Sequence, residues 1–564
     1  MSINGALQIG RSAMTASQAA IQVTGNNMAN AATPGYARRT VHFGSARDEM
    51  SSSSHYIGTG VNLLDVRREV DGALQSRLRN AISDERASIV DQRYLTAIEI
   101  LQNETTDNDI SSRLSAFFNA FSELANNPEE NAVRSVVVQE AIGLASSLAG
   151  LRQDYGTVRA QIDESLGQAT RQVNELLDQI AAINMQIAQS ETANSRANAL
   201  RDQRDRIIDE VSTYLDITAR EQANGVTDVF VGSLPIVLAG SSRGIELRPE
   251  STTTGVDYTL RIRDDGSLLD PRSGELGALL RQRNDTVQPA LEDLDTLAAN
   301  LIFELNRLHA QGQPKTLQNA FTGTYQVTDT TVPLNDASSG TSFDIDNGGF
   351  FVHIRNTSTG IMDSYRIDVN GATDSLDDLI AEINVNVGVP NLTAGVTSDG
   401  SFTLTAGSGY AISFSEDTSG ALAALGVNTF FVGSTALDID VHADIQANPN
   451  YIAAGGGNIN GSNDTAVAIA NLQDVPVDAL NGMSLRGFWL QSVNALAAST
   501  GSANRDVASS ALVRESLAAQ LSAVSGVSLD EESMNLLTFE RQFQAAARFI
   551  SVIDEQIQTL LSLV

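Results

Sequence analysis

The sequence predicts a multidomain chain, mainly α at both termini, whose N- and C-terminal segments together form a coiled coil or helical bundle around inserted β-rich domains. Three observations predict it. Apolar and small residues recur at alternating spacings of four and three at both chain ends, the pattern of a coiled-coil seam. The middle shifts to Thr-, Gly-, Asp- and Ser-rich sequence carrying short β-prone runs. At 564 residues the chain is too long for one ordinary domain.

The N-terminal stripe runs through Ile3, Leu7, Gly10, Met14, Ser17, Ile21, Thr24 and Met28. The C-terminal stripe runs through Leu536, Phe539, Phe543, Ala546, Ile550, Ile553, Ile557, Leu560 and Val564. Each helix would be roughly 40 Å long at about 1.5 Å per residue. Gly10, Ser17 and Thr24 weaken the first seam, so the isolated helix is marginal in water. Ordering on assembly and an intramolecular helical hairpin stand as equal alternatives.

Thr33-Pro34-Gly35-Tyr36 is a turn, and a polar serine-rich stretch follows at Ser51 to Ser54. Helical periodicity resumes near Asp71 and continues with breaks to about Leu215. Its longest piece is expected from near Leu151, with Val173, Leu176, Ile180, Ile183 and Ile187 at heptad spacing. Asn126-Asn127-Pro128-Glu129 reads as a helix stop and a new start.

From Asp216 to about Leu269, Val229 to Val231, Ile236 to Leu238, Ile245 to Leu247 and Tyr258 to Ile262 read as strands, with Asp264-Asp265-Gly266 a turn. Helix returns from Gly274 to Ala310, with Leu294, Ala298, Leu301, Leu305 and Leu308 on one face. Between Gly312 and Ala447, Phe351 to Arg355 and Tyr365 to Val369 read as strands, with Asn370-Gly371 a tight turn. Ser375 to Val385 is a short helix capped by Asp374 or Ser375, and Leu392 to Val396 with Phe402 to Thr405 form a hairpin across Asp399-Gly400. Gly455 to Gly461 is a flexible link before helices resume at Thr465. The expected division is residues 1–45 with 525–564 as a terminal coiled-coil part. Residues 46–312 with 448–524 form a helical, rod-like part with a β subdomain at about 216–272, and 313–447 an inserted outer β-rich part.

The net charge is −32, Lys315 is the only lysine, and no dense basic block exists. Nucleic acid and anionic membrane surfaces are therefore poor partners. The absence of cysteine excludes disulfides, thiolate catalysis and Cys-ligated metal. The N-terminus lacks the basic and apolar regions of a cleaved secretory signal, and no run approaches the ~18 uncharged apolar residues of a membrane span. Gly240-Ser241-Ser242-Arg243-Gly244 matches G-x-S-x-G, but the strand-like Ile245-Glu246-Leu247 after it makes a hairpin loop the better reading of Ser242. Asp344, Asp346, Asn347 and Gly348 lack the spacing of a calcium loop, and a turn is expected there. His42, His55, His309, His353 and His442 show no metal-ligand spacing. No phosphate loop surrounds Lys315, and the glycine run at Gly455 lacks a strand–turn–helix context. No catalytic, cofactor or metal residue is expected, and the chain reads as no enzyme.

Asn26-Asn27-Met28-Ala29-Asn30-Ala31-Ala32-Thr33-Pro34-Gly35-Tyr36-Ala37-Arg38-Arg39 resembles the N-terminal signature of flagellar rod, hook and hook-associated proteins, with Asn27, Asn30, Thr33, Pro34, Gly35 and Tyr36 carrying the match. Leu124 to Glu129, Leu200 to Asp205, Leu305 to Gly312, and Gly526 to Glu532 continuing through Phe543 to Arg548 resemble hook-associated protein 1 in particular. The region around Asp329 to Gly349 matches no known pattern.

The resemblance implies export by the flagellar type III apparatus on an uncleaved signal, and assembly as a ring of copies at the hook–filament junction, outside the cell. The terminal helices would form the inner coiled-coil layer and the β-rich insert would face outward. It further implies hook protein on one side, the next hook-associated protein on the filament side, and an export chaperone on the C-terminal helix. The alternatives are a hook or distal-rod protein of the same axial family, a secreted surface adhesin or enzyme acting through residues 312–447, and a cytosolic coiled-coil scaffold.

Overall fold

The computed structural model describes residues 3–50, 56–104, 109–192, 195–252, 255–388, 391–456, 459 and 461–562. Ser51 to Ser54, His55 and Val564 lie outside the described residues. The chain divides into two compact units, one of Met1–Arg93, Ile162–Asn284 and Gly501–Val564, the other of Tyr94–Gln161 and Asp285–Thr500.

In the first unit, the N-terminal helix Ile3–Ala29 packs against the C-terminal helix Leu529–Ser562. Strands Arg39–Ser45 and Val61–Arg68 pair antiparallel with a bulge between His42 and Phe43. This hairpin departs from the sequence reading, which saw only a turn and a polar stretch there. The start of helix Gly72–Gln102 packs Leu74 and Ala81 against Leu517 of helix Leu485–Ser525, and Arg514 pairs with Glu85. Helix Asn131–Ser190 contributes its second half, where Val173, Leu176, Ile180, Ile183 and Ile187 are all buried.

That helix runs unbroken for 60 residues, twenty earlier than the expected start near Leu151. Gly143, Gly150 and Gly156 each weaken a helix by up to ~1 kcal/mol. Burial of Val137, Val138, Ala141, Leu144 and Leu148 offsets them. The same stretch is long and apolar enough to cross a membrane by composition alone. One face of it, with Val137, Val138, Ala141, Leu144 and Leu148, is buried in the core, whereas Val136 is exposed.

The β subdomain holds a four-stranded antiparallel meander of Ile217–Glu221, Thr227–Val231, Leu234–Leu238 and Ser241–Ser242, and a three-stranded sheet of Ile245–Thr252, Gly255–Ile262 and Leu268–Leu269. Ser242 sits on the last short strand of the meander, opposite Val237.

In the second unit, helix Ile110–Asn126 is capped by Asp109, whose carboxylate accepts from the Ser112 N–H at 2.7 Å. Phe117 and Phe121 of this helix meet Phe430, and Phe117 also meets Phe431. After the break at Asn127 to Glu130 the next helix begins at Asn131. Its buried Arg134 donates to Pro128 O and to Ile452 O, both at 2.7 Å. The expected helix from Gly274 to Ala310 is interrupted by a π-helical stretch at Gln282–Val287. Leu294, Ala298, Leu301 and Leu305 are fully buried, whereas His309 takes the inward place expected of Leu308.

Strand Gly348–Asn356 lies between Met362–Val369 and Tyr410–Ser415, all antiparallel. Ala320–Gln326, Ser401–Ala406 and Leu392–Val396 form a second sheet, and Gly400 adopts the left-handed φ of 88° that its turn requires. Helix Leu376–Asn386 starts with a capping box between Ser375 and Asp378. Phe350, Val352, Ile354, Leu379, Leu404 and Phe414 fill the common core.

Candidate assembly site

The N-terminal helix buries small residues: Gly10, Ala16, Ser17, Ala20, Thr24 and Asn27. Ile3, Leu7, Met14, Ile21 and Met28 are half-buried along its flanks. Opposite them, Ala546 and Ile553 are buried, Leu536, Phe539, Phe543, Ile550 and Ile557 are half-buried, and Leu560 is exposed. A Cβ at Gly10 would stand 2.7 Å from Ile550 Cγ1. The helices approach to a distance that only glycine permits there, so small residues occupy the centre and large ones lie to the side.

The helix ends in a polar clasp. Asn27 is buried and uses every hydrogen-bonding position its amide offers. Its Nδ2 donates to Arg39 O at 2.8 Å and to Glu532 Oε2 at 3.0 Å. Its Oδ1 accepts from Arg39 N–H at 3.0 Å and from the Tyr36 hydroxyl at 2.8 Å. Asn27 thus bonds both backbone groups of Arg39 and sets the first residue of the hairpin.

Asn30 Nδ2 donates to Asn26 O, and the Thr33 hydroxyl donates to Asn30 Oδ1. Pro34 fixes φ within the turn, and Gly35 follows at a φ of 73°. A Cβ at Gly35 would meet the Arg206 side chain at 2.4 Å. Burial raises the pKa of Tyr36, which keeps its hydroxyl a donor.

Glu532 is 2% exposed and is held from two sides. Arg38 Nε reaches its Oε1 at 2.8 Å, Arg38 Nη1 reaches Glu531 at 2.9 Å, and Arg38 N–H donates to Ser525 O at 2.9 Å. Arg39 stacks over the Tyr36 ring and pairs with Asp202 at 3.1 Å. Arg68 then pairs with both Asp202 and Asp205 at 2.9 Å. The arrangement performs no bond chemistry: it locks the N-terminal helix, the hairpin, the start of the C-terminal helix and helix Asn198–Tyr214 into one polar network.

The family-signature residues therefore converge, but on partners that periodicity did not reveal. Glu532, Arg38, Arg39 and Asp202 were absent from the expected site. Two signals pointed to them: the acidic run Asp530-Glu531-Glu532 against the basic pair Arg38-Arg39, and the charged motif Leu200 to Asp205.

Known protein families match these same segments. The profile described as "Flagellar hook-associated protein FlgK helical domain" matches residues 95–324. "Flagella basal body rod protein" matches 7–36, and "Flagellar basal body rod FlgEFG protein C-terminal" matches 520–563. Flagellar hook-associated protein 1 of Bacillus subtilis is 30% identical over 345 residues, which are 55% of this chain and 68% of that protein. The chain belongs to the flagellar hook-associated protein 1 family. It is a structural, non-enzymatic component of the bacterial flagellum. The hook-associated protein 1 of Escherichia coli is 23% identical over 580 residues, 98% of each chain. The solved structure of "the flagellar hook junction protein FlgK from Burkholderia pseudomallei" matches with a TM-score of 0.52 at 17% identity, over 79% of this chain and 99% of that one. It shares the fold.

Proposed function

We propose that copies of this chain assemble through their terminal helices into a ring within a tubular lattice, each clasp holding one copy's helices in the presenting geometry. As a member of its family, the chain is a protein of the hook–filament junction of the bacterial flagellum. The apolar surface left on the terminal pair carries the assembly reading. On the C-terminal helix Met534 is 63% exposed, Leu537 55%, Val552 52% and Leu561 71%. Clusters of exposed large apolar side chains mark surfaces that another protein covers.

Charge supports a second copy as the cover. Beyond the pairs that Arg38 and Arg39 make within the chain, Arg11 and Arg47 stand in a segment, residues 1–47, that carries no acid, whereas Leu529–Ser562 adds Asp530, Glu540, Asp554 and Glu555 to Glu531 and Glu532, against two arginines. Opposite charges on adjoining copies steer and register such contacts.

In this reading Ile3, Leu7, Met14, Ile21 and Met28 work with Leu536, Phe539, Phe543, Ile550, Ile553, Ile557 and Leu560. Residues 1–45 with 525–564 form the inner part, 46–312 with 448–524 the body, and 313–447 the outward part. Its neighbours are hook protein, the next hook-associated protein on the filament side and, before export by the flagellar apparatus, a chaperone on the C-terminal helix.

Ile553→Asp in a motile host tests the seam. Burying that carboxylate costs several kcal/mol. Bare hooks, with flagellin lost to the medium and the variant still exported, are expected by electron microscopy and immunoblot. Normal filaments would refute the seam.

A further inference from the structure

All the sulfur in this chain is thioether, because the sequence has eight methionines and no cysteine. With no thiol to consume an oxidant first, methionine is the group most readily oxidised, and exposure ranks the sites. Trp489, the single tryptophan, is buried. Met1 lies outside the described residues. Met14, Met28, Met362 and Met483 are half-buried, whereas Met50, Met185 and Met534 are exposed.

The three exposed thioethers differ in their surroundings. Met50 stands on the short strand Glu49–Met50, paired with Tyr56–Ile57. Met185 lies on helix Asn131–Ser190, beside Gly240 of the β subdomain. Met534 lies in the second turn of helix Leu529–Ser562, two residues after Glu532. Asn27 and Arg38 pin the Glu532 carboxylate inward. At about 100° per residue, two residues span roughly 200°, so the pin turns Met534 away from the N-terminal helix. Leu537, also exposed, stands one turn further on and extends the same apolar patch. The clasp thus presents this thioether from an anchored helix.

A thioether suits a covered contact, since it is unbranched, polarisable and fills irregular gaps. Its sulfoxide is polar, and its oxygen demands a hydrogen-bond donor wherever it is buried. One added oxygen therefore sets the side chain against the contact that the patch makes.

We propose, resting on the assembly reading above, that Met534 is an oxidation site that gates assembly: a copy with the thioether joins its neighbour, and a copy with the sulfoxide does not. The oxidant is a peroxide. A sulfur lone pair attacks one peroxide oxygen, the S–O bond forms and the O–O bond breaks. The departing hydroxide takes the proton left on the transferred oxygen and leaves as water. Sulfur loses two electrons and the peroxide gains them. A thiol-dependent sulfoxide reductase reverses the step, two thiols becoming a disulfide as the oxygen leaves in water. A neighbouring copy seated on Met534 shields it, so assembled copies resist oxidation.

Peptide mass spectrometry of the full chain after graded hydrogen peroxide treatment should show Met534 gaining one oxygen at least about threefold faster than Met14 or Met28. In a motile host, Met534→Gln carries a permanent polar end on a side chain of similar length. With circular dichroism and export unchanged, it is expected to cut filament number about tenfold or more. Met534→Leu should keep normal filaments, and keep them at a peroxide dose that strips wild type of new ones. Normal filaments on Met534→Gln overturn the gate, as does Met534 oxidising no faster than Met14, or Met534→Leu failing under peroxide as wild type does. Bare hooks with Ile553→Asp beside normal filaments with Met534→Gln sink the gate alone. Normal filaments with both sink the seam as well.

Discussion

Asn27→Ala removes four hydrogen bonds at one point: two to the backbone of Arg39, one from Tyr36 and one to Glu532. The three neutral bonds are worth about 1 kcal/mol each net, and the one to a buried carboxylate about 1.5–3. Arg38 keeps Glu532 charged, so the lost donor is felt in full, while water recovers part of the Tyr36 bond. The sum is about 3–5 kcal/mol. Hydrogen exchange read by mass spectrometry on segments 26–39 and 525–540 checks it. Protection in both should fall by roughly two to four orders of magnitude, at 1.36 kcal/mol per tenfold. Glu532→Gln should expose the coupling: the Asn27→Ala effect in that background shrinks by about 1–3 kcal/mol if the two side chains act together. Exchange within about threefold of wild type, or full additivity of the two changes, would refute a clasp built on this pair.

Two further outcomes follow from the packing. Gly10→Val places a β-branched side chain where even a Cβ lies 2.7 Å from Ile550; a loss of about 1–3 kcal/mol is expected in the thermal unfolding of the terminal helices, with fewer filaments in the host. His309 is fully buried, its Nδ1 bonded to Asn428 O and its Nε2 accepting from Ala453 N–H, and burial pulls its pKa down to about 4 from 6.5. The unfolded chain takes up that proton first as pH falls, so the histidine's contribution is complete above pH 6.5 and is lost between about 6.5 and 4. Urea unfolding followed through Trp489 at pH 7 and 4.5 should show about 2.5 kcal/mol of this loss in wild type and none of it in His309→Leu.

Local chemistry was legible where one short stretch decides the outcome. The cap of Ser375, the Asp399-Gly400 hairpin and the break at Pro128 each depend on a few neighbours, and each stands where the residues put it. The heptad at Val173 to Ile187 was legible because every member is aliphatic and buried. The hairpin Arg39–Arg68 was not, since its bulge at His42 breaks the alternation that marks a strand. Helix Asn131–Ser190 starts ahead of its heptad because burial of Val137 to Leu148 outweighs the low helix propensity of Gly143 and Gly150. At the candidate site, spacing located both helices but ranked large residues over Gly10, Ser17 and Thr24, which close contact places at the centre. The Asn27–Glu532 bond lies beyond any periodicity.

The two residues of that bond are 505 positions apart, and this sets when it can form. Closing so long a loop of unfolded chain costs roughly (3/2)RT ln n, about 5.5 kcal/mol, more than the ~3–5 kcal/mol of the Asn27 bonds returns. Once the intervening residues have folded, most of that entropy is already spent and the ends meet at little further cost. The clasp is thus a late event in folding, and the N-terminal helix waits for a partner that the rest of the chain must deliver.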